Sequence, residues 1–199
     1  MRLKRALPKT IYEWLIVFLP ISASVSLDET HRLWQPEDRT CALESFVIRR
    51  LLKRYPRLMF NLYPPLLGAG IRITHISADW KQLDVQMKLR SWNANYVGTQ
   101  YGGSLYSMTD PFFMVMLIEI LGRDYIVWDK SAAIRFRKPG RGTVYAKFRI
   151  ADEQLADICA ALRTEEKIER EFPVNVTDAQ GEVIAEVKKL LHFRNRRAA

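Results

Sequence analysis

The ten residues Phe112 to Leu121, FFMVMLIEIL, constrain this chain more than any other stretch. The run is too long and too rich in Met and Leu for a strand, and too uniformly apolar for a surface helix. It predicts a helix buried on nearly all sides, with Glu119 needing a partner or a solvent-facing end. Such a helix requires an apolar wall, and the flanking sequence supplies one by period-two alternation. Leu83, Val85, Met87 and Leu89 alternate with Asp84, Gln86, Lys88 and Arg90, and GIRITHIS precedes them as a partner strand. SAAIRFRKPG alternates through Ile134 and Phe136, with Arg135 and Arg137 on the other face and a turn at Pro139-Gly140. TVYAKFRI alternates through Val144, Ala146, Phe148 and Ile150. A hairpin follows, with arms near Glu169–Thr177 and Glu182–Phe193 around a turn at Asp178–Gly181. Before it, DEQLADICAALR places Leu155, Ile158, Cys159 and Leu162 on one helical face, with Asp152 as N-cap. The expected fold is α+β, an antiparallel sheet of about six strands wrapped around a long central helix.

The remainder reads as an N-terminal helical and apolar extension over residues 1–56, with the folded domain over 57–199. The extension has a basic start (Arg2, Lys4, Arg5, Lys9) and an apolar stretch from Ile11 to Ile21, interrupted by Glu13 and closed by Pro20. A cleaved secretory signal is one reading. A helix that docks on the domain or lies on a membrane surface through residues 1–54 is the favoured one, because the stretch is too short to span a bilayer. Residues 41–54 show a helical period with a basic face. The segment YPRLMFNLYPPLLGAG, with its prolines and glycines, predicts an irregular connector.

Cys41 and Cys159 lie far apart without CxxC spacing, and His31, His75 and His192 are scattered. No disulfide framework or metal motif follows, and a reducing cytoplasm is the simpler compartment. A net charge of +9 attracts polyanions, namely nucleic acid, anionic lipid or the phosphates of CoA. Nucleic acid ranks low, since no zinc-finger or RNP-like pattern is present.

The chemistry concentrates in NANYVGTQYGGSLYSMTDP, Asn93 to Pro111. By local rules Asp110-Pro111 is a helix start, with Asp as N-cap and Pro at the first helical position. Proline also disfavours helical geometry at the residue before it, so a kink or late start is expected at Asp110, leaving a carbonyl near Ser107 without its usual partner. Gly102 and Gly103 let a ligand approach the backbone closely. A helix N-terminus offers unpaired N–H groups that can polarise a carbonyl, and a carboxylate beside it can serve as general base or nucleophile. Thioester hydrolysis needs both.

The pattern N-x-x-G-T-x-Y-G-G followed by Asp, from Asn95 to Asp110, resembles the hotdog-fold thioesterases of the phenylacetyl-CoA and 4-hydroxybenzoyl-CoA type. There N-x-x-G-x-x-H-G-G precedes a catalytic Asp or Glu at the same spacing. GSLYSMTDPF and YIVWDKSAAIRFRKPG are similar to signatures of a bacterial branch of that superfamily, and the resemblance covers Arg57 to Arg194. It implies a hotdog fold and an acyl-CoA thioesterase acting on an apolar acyl group. Asp110 would be base or nucleophile, with Gly102 and Gly103 N–H groups on the carbonyl and Asn95 orienting water or carbonyl. Tyr101 stands where the family has histidine. The resemblance further implies a homodimer or homotetramer with sites at the dimer interface, Asp110 and the Gly102 loop coming from different chains. Arg135, Arg137, Lys138 and Arg141 are candidates for the CoA phosphates, and Met114 and Met116 for an acyl tunnel. CoA enters as part of the substrate, with no separate cofactor and no metal. A non-catalytic acyl-CoA or lipid-binding hotdog protein is the alternative, favoured by Tyr101 and Pro111. A dehydratase is disfavoured because the motif lacks histidine. For the N-terminus, intact-mass analysis of the native protein is expected to show residues 1–26 retained.

Overall fold

Proline opens the described chain twice. Residues 54–196 are described in this computed structural model. The readings placed on residues 1–53 lie outside them. The segment expected to be an irregular connector forms two short helices, α1 (Pro56–Leu62) and α2 (Pro64–Ala69), each with proline in its first turn. A proline there loses no hydrogen bond, because the first N–H groups of a helix have no partner within it. The residue type that argued against structure initiates it at both places.

The chain continues through β1 (Ile71–Ile76), β2 (Gln82–Lys88), α3 (Gly102–Ser107), α4 (Phe112–Leu121) and β3 (Tyr125–Phe136). It ends with β4 (Thr143–Arg149), α5 (Asp152–Thr164), β5 (Lys167–Thr177) and β6 (Val183–Asn195). The six strands form one sheet in the order β1-β2-β4-β5-β6-β3, antiparallel throughout. The alternation read from sequence sets its two faces: Leu83, Val85 and Met87 of β2, Val144, Ala146 and Phe148 of β4, and Phe172, Val174 and Val176 of β5 are all buried. The β5–β6 turn is tied by Asp178 Oδ1, which accepts from the N–H groups of Gln180 and Glu182 at 2.9 Å each, and by Gly181 at φ +85°.

Helix α4 lies against this inner face. Its Phe112 and Phe113 rings meet Phe148 at centroid distances of 5.2 and 5.0 Å, and Phe113 meets Phe172 at 5.1 Å. Such pairs add to the area they bury. Only one stripe of α4 is fully buried, however: Phe112, Phe113, Met116 and Leu117. Met114 and Val115 are half-buried, Glu119 faces solvent, and Ile118 is 40% exposed. The helix is apolar all round, but one sheet has one concave face and covers one side. Helix α5 contributes Ile158 and Leu162 to the core. Its N-cap is Ala151 rather than Asp152, with the Ala151 N–H donating to Gln154 Oε1 at 3.0 Å. Asp152 pairs with Lys81 instead.

The two sheet edges differ. Asn61 of α1 acts as a stand-in strand partner for β1: its Nδ2 donates to the Ile73 carbonyl at 3.1 Å and its Oδ1 accepts from the Ile73 N–H at 2.7 Å. Arg57 donates to the Thr74 carbonyl alongside. At the other edge, no described strand pairs with the outer side of β3. Phe113→Ala is expected to cost ~3–5 kcal/mol, read as a lower midpoint in urea unfolding.

Candidate active site

The site begins where the central helix breaks. α3 ends at Ser107, Met108 and Thr109 form a turn, and α4 begins at Phe112 with Pro111 in the N-cap position. Pro111 lacks the N–H that would reach the Ser107 carbonyl in a continuous helix. That carbonyl takes a long bond from the Asp110 N–H, at 3.4 Å. Thr109 is fully buried, and both its N–H and its hydroxyl donate to the Tyr106 carbonyl at 2.8 Å. The break falls where the sequence placed it. Asp110, expected to cap α4, does not: α4 has no side-chain cap.

The Asp110 carboxylate turns to the sheet. Its Oδ1 accepts from Lys189 Nζ of β6 at 2.7 Å. Asp110 remains 46% exposed at the side chain, whereas Lys189 is fully buried. A second carboxylate, Asp129 of β3, has its Oδ1 3.2 Å from the same ammonium. The Tyr106 ring centroid lies 5.3 Å from it. Burial pulls the Lys189 ammonium down, but Asp110 and Asp129 outweigh it and the net direction is up. Burial pushes the Asp129 carboxyl up to about 6, against the pull of Lys189 and with the Asp110 charge adding to the rise. Burial and the Asp110 charge also raise the Tyr106 and Tyr63 hydroxyls.

Lys189 was not singled out in the sequence, although a signal was present. In VIAEVKKLLHF the residues Ala185, Val187, Leu191 and Phe193 all face inward, and Lys189 is in phase with them. A lysine on the apolar phase of a strand requires a buried partner. Asp129 was hidden by a bulge. The β3–β6 register pairs Asp129 with Leu191 and Ser131 with Leu190, so Lys130 is the extra residue. Lys130 pairs with Glu169 and leaves Asp129 facing in.

The glycine loop stands at the other end of α3. Tyr101 is its N-cap, and Leu105 N–H donates to the Tyr101 carbonyl at 3.0 Å. The N–H groups of Gly102, Gly103 and Ser104 therefore have no acceptor within the helix. A Cβ at Gly103 would lie 2.5 Å from Tyr101 Cε1, and one at Gly102 would lie 3.1 Å from Phe136 Cζ. Both rings are more than half exposed, Tyr101 at 57% and Phe136 at 53%. A side chain at either position would have to displace one of the two aromatic rings that wall this end of the helix. Asn95 is engaged within its own loop: Oδ1 accepts from the N–H groups of Val97 and Thr99 at 3.1 and 2.9 Å, and Nδ2 donates to Thr99 Oγ1 at 2.9 Å. Gln100 pins the loop to the sheet, its Nε2 donating to the Met87 and Gly142 carbonyls at 3.2 and 2.8 Å.

Of the four basic residues near the β3–β4 turn, Arg137 pairs with Glu186 at 2.8 Å and Lys138 with Glu182 at 2.6 Å. Arg135 is in register with Glu186, and Arg141 is exposed. Met116 is core, and Met114 is the half-buried one of the two methionines. The structure brings Asp110 together with two residues that sequence reasoning did not connect to it. It leaves Gly102 at the far end of α3.

A six-stranded antiparallel sheet wrapped on one long, broken helix defines the hotdog fold, and solved structures agree. A Pseudomonas aeruginosa protein of unknown function, described as a probable thioesterase, superposes with a TM-score of 0.60 at 21% identity, covering 76% of this chain and 96% of that one. A thioesterase from Haemophilus influenzae gives 0.52 at 11% identity, covering 70% and 90%. The PaaI protein of E. coli, from the phenylacetic acid degradation operon, gives 0.50 at 16% identity, covering 72% and 93%. Residues 53–192 match the family described as "Domain of unknown function (DUF4442)", and the chain belongs to that family. No curated protein matches the sequence.

The raised Asp129 carboxyl makes stability depend on pH with a definite sign. Between its ordinary 3.8 and about 6, the folded chain binds more proton than the unfolded chain. Asp129 therefore contributes stability that is complete below the lower value and lost as pH rises through the upper one. The contribution is no more than about 3 kcal/mol. Urea unfolding across this window is expected to show the decline in the wild type and a flatter profile in Asp129→Asn.

Proposed function

We propose that this protein is an acyl-CoA thioesterase that hydrolyses the thioester of an apolar acyl group. Asp110 is the general base or nucleophile, and the Gly102 N–H, with that of Gly103, polarises the carbonyl. The observation that carries this reading is the half-exposed Asp110 carboxylate. It is anchored by one oxygen at a helix break and set behind a glycine-started helix whose first N–H groups are unengaged. The neighbouring folds described as thioesterases agree with it.

Distance argues that the site is shared between subunits. At 1.5 Å per residue, Gly102 and Asp110 stand roughly 12 Å apart along the helix. A carbonyl that meets a donor and a base at roughly 3 Å each does not bridge that gap. Asp110 then acts with Gly102 of the partner subunit in a homodimer, or in a tetramer built from such dimers. The open edge of β3 and the uncovered side of α4 at Ile118 are the surfaces such a partner would cover.

In this arrangement Asn95 shapes the loop that carries the glycines, through the bonds it makes there, and orients water or carbonyl through it. Tyr101 walls the site in place of histidine. Arg135 and Arg141 meet the CoA phosphates. Arg137 and Lys138 join them, since exposed ion pairs are worth only ~0.2–1 kcal/mol and yield readily to a phosphate. No cofactor besides the CoA of the substrate is required, and the compartment is the cytoplasm, with residues 1–54 available for membrane-surface contact.

The non-catalytic alternative, an acyl-CoA or lipid-binding protein, draws on the Asp110–Lys189 pair, which engages one oxygen of the proposed base, and on Tyr101. Hydrolysis of an acyl-CoA panel decides between the two. Turnover in the wild type, reduced by roughly 10³-fold or more in Asp110→Asn, is expected for the enzyme. Tight acyl-CoA binding without turnover at any chain length would establish the alternative. A shared site adds a second expectation: mixing Asp110→Asn with an inactive Gly102→Val protein restores part of the activity by forming one intact site per heterodimer.

A further inference from the structure

We propose that Lys189 is the positioning residue of this site, fixing the Asp110 carboxylate through a buried ammonium that it shares with Asp129 behind it. The inference rests on the reading of Asp110 as the reacting group. Lys189 occupies the inward phase of β6, where its register neighbours are Phe172 on β5 and Ala132 on β3. Neither offers a hydrogen-bonding side chain. The ammonium turns to the two carboxylates, one from the helix break and one from the β3 bulge, with the Tyr106 ring beside it.

The division between them is unequal. Asp110 Oδ1 accepts a well-formed bond at 2.7 Å. Asp129 Oδ1 lies 3.2 Å away and is buried without a hydrogen-bond partner, so it contributes charge rather than a directed bond. One oxygen of the Asp110 carboxylate is thereby fixed, while 46% of the side chain stays exposed. The other titratable groups around the ammonium and the Asp110 carboxylate are Tyr106 of α3 and Tyr63 between α1 and α2, each sensing the Asp110 charge. When Asp129 is protonated, the full charge of Lys189 falls on Asp110. When Asp129 is ionised, that charge is divided. The protonation of a buried side chain on β3 therefore sets how firmly a carboxylate on the central helix is held. A lysine present only to fill space could be exchanged for methionine without moving the Asp129 titration or the Asp110 carboxylate.

The test uses the full chain and two readouts. Carbon-13 NMR titration of the Asp129 carboxyl is expected to give a midpoint near 6 in the wild type. Asp110→Asn lowers it by roughly one unit, since a like charge is removed and the whole ammonium turns to Asp129. Lys189→Met raises it by roughly one unit, and Lys189→Arg keeps it near the wild-type value. In acyl-CoA hydrolysis, Lys189→Met lowers kcat roughly 100-fold with KM little changed, the mark of a misplaced reacting group, and Lys189→Arg recovers most of the loss. An Asp129 midpoint unmoved in folded Asp110→Asn overturns the proposal, as does an unchanged kcat in folded Lys189→Met. If Lys189→Met does not fold, Lys189→Gln, which keeps a donor and loses the charge, takes its place in both readouts. The titration needs no substrate. A wild type without turnover but with the coupled titration sinks the thioesterase reading and leaves the coupling standing, and turnover with an uncoupled titration does the reverse.

Discussion

A helix with proline at its tenth residue cannot run unbroken from Gly102 to Leu121, and the site depends on that break. In a continuous helix the Pro111 N–H would bond the Ser107 carbonyl, and Asp110 would be one more side chain held to the helical spacing. With that donor absent, the chain passes through Met108 and Thr109 as a turn. The buried Thr109 seals the exposed backbone by placing both its donors on the Tyr106 carbonyl. Asp110 is then free to point toward β6, away from the N–H groups of its own following helix. The apolar α4 stays in place because Phe112 and Phe113 are gripped by Phe148 and Phe172, so the break moves a carboxylate without moving the core.

Burying Lys189 is costly unless its charge is met. An uncompensated ammonium in a protein interior costs several kcal/mol, and a pair inside low dielectric recovers this only with good geometry. One carboxylate at hydrogen-bond distance and a second close behind supply it, and the Tyr106 ring adds a face for the cation. The consequence is passed to Asp129. It is the more buried of the two acids and the less well bonded, and its carboxyl holds its proton to about pH 6. A cluster of two acids and one base has an odd charge when all are ionised. The protein settles that oddness on the more buried of the two acids.

The alternations of β2, β4, β5 and β6, and the bounds of α4, were legible because each is a local period repeated several times. What failed was local chemistry overruled by distant partners. Pro56, Pro64 and Pro65 read as breakers, yet two short helices form on them, since proline in the first turn costs a helix nothing. Asp152 and Asp110 both read as caps, and both were taken by lysines far along the chain, Lys81 and Lys189. The first half of β3, Tyr125 to Lys130, went unread because a bulge interrupts its alternation just where Asp129 turns inward. In the candidate site, Asp110 and the glycines came from motif spacing. Lys189 needed the strand phase to be taken literally, as a statement that a charge lies inside.

The two edges of the sheet bear on how such a site is completed. An edge strand carries a row of unpaired N–H and C=O groups, and a chain that needs to remain alone blunts it. Here β1 is blunted: Asn61 supplies a donor and an acceptor where a neighbouring strand would, and Arg57 occupies the next carbonyl. β3 has no such cover among the described residues, and at its centre it presents the small side chains Ser131, Ala132 and Ala133, which let another backbone approach closely. On the same side of the molecule's chemistry, Phe136 at the end of β3 leans on Gly102 while remaining half exposed. A second copy laid along β3 would therefore arrive beside the glycine-started helix. On the proposed function, a helix rise of roughly 12 Å between Gly102 and Asp110 would make the same demand, since donor and carboxylate have to meet one carbonyl. An open edge and a divided site would both be answered by one such contact.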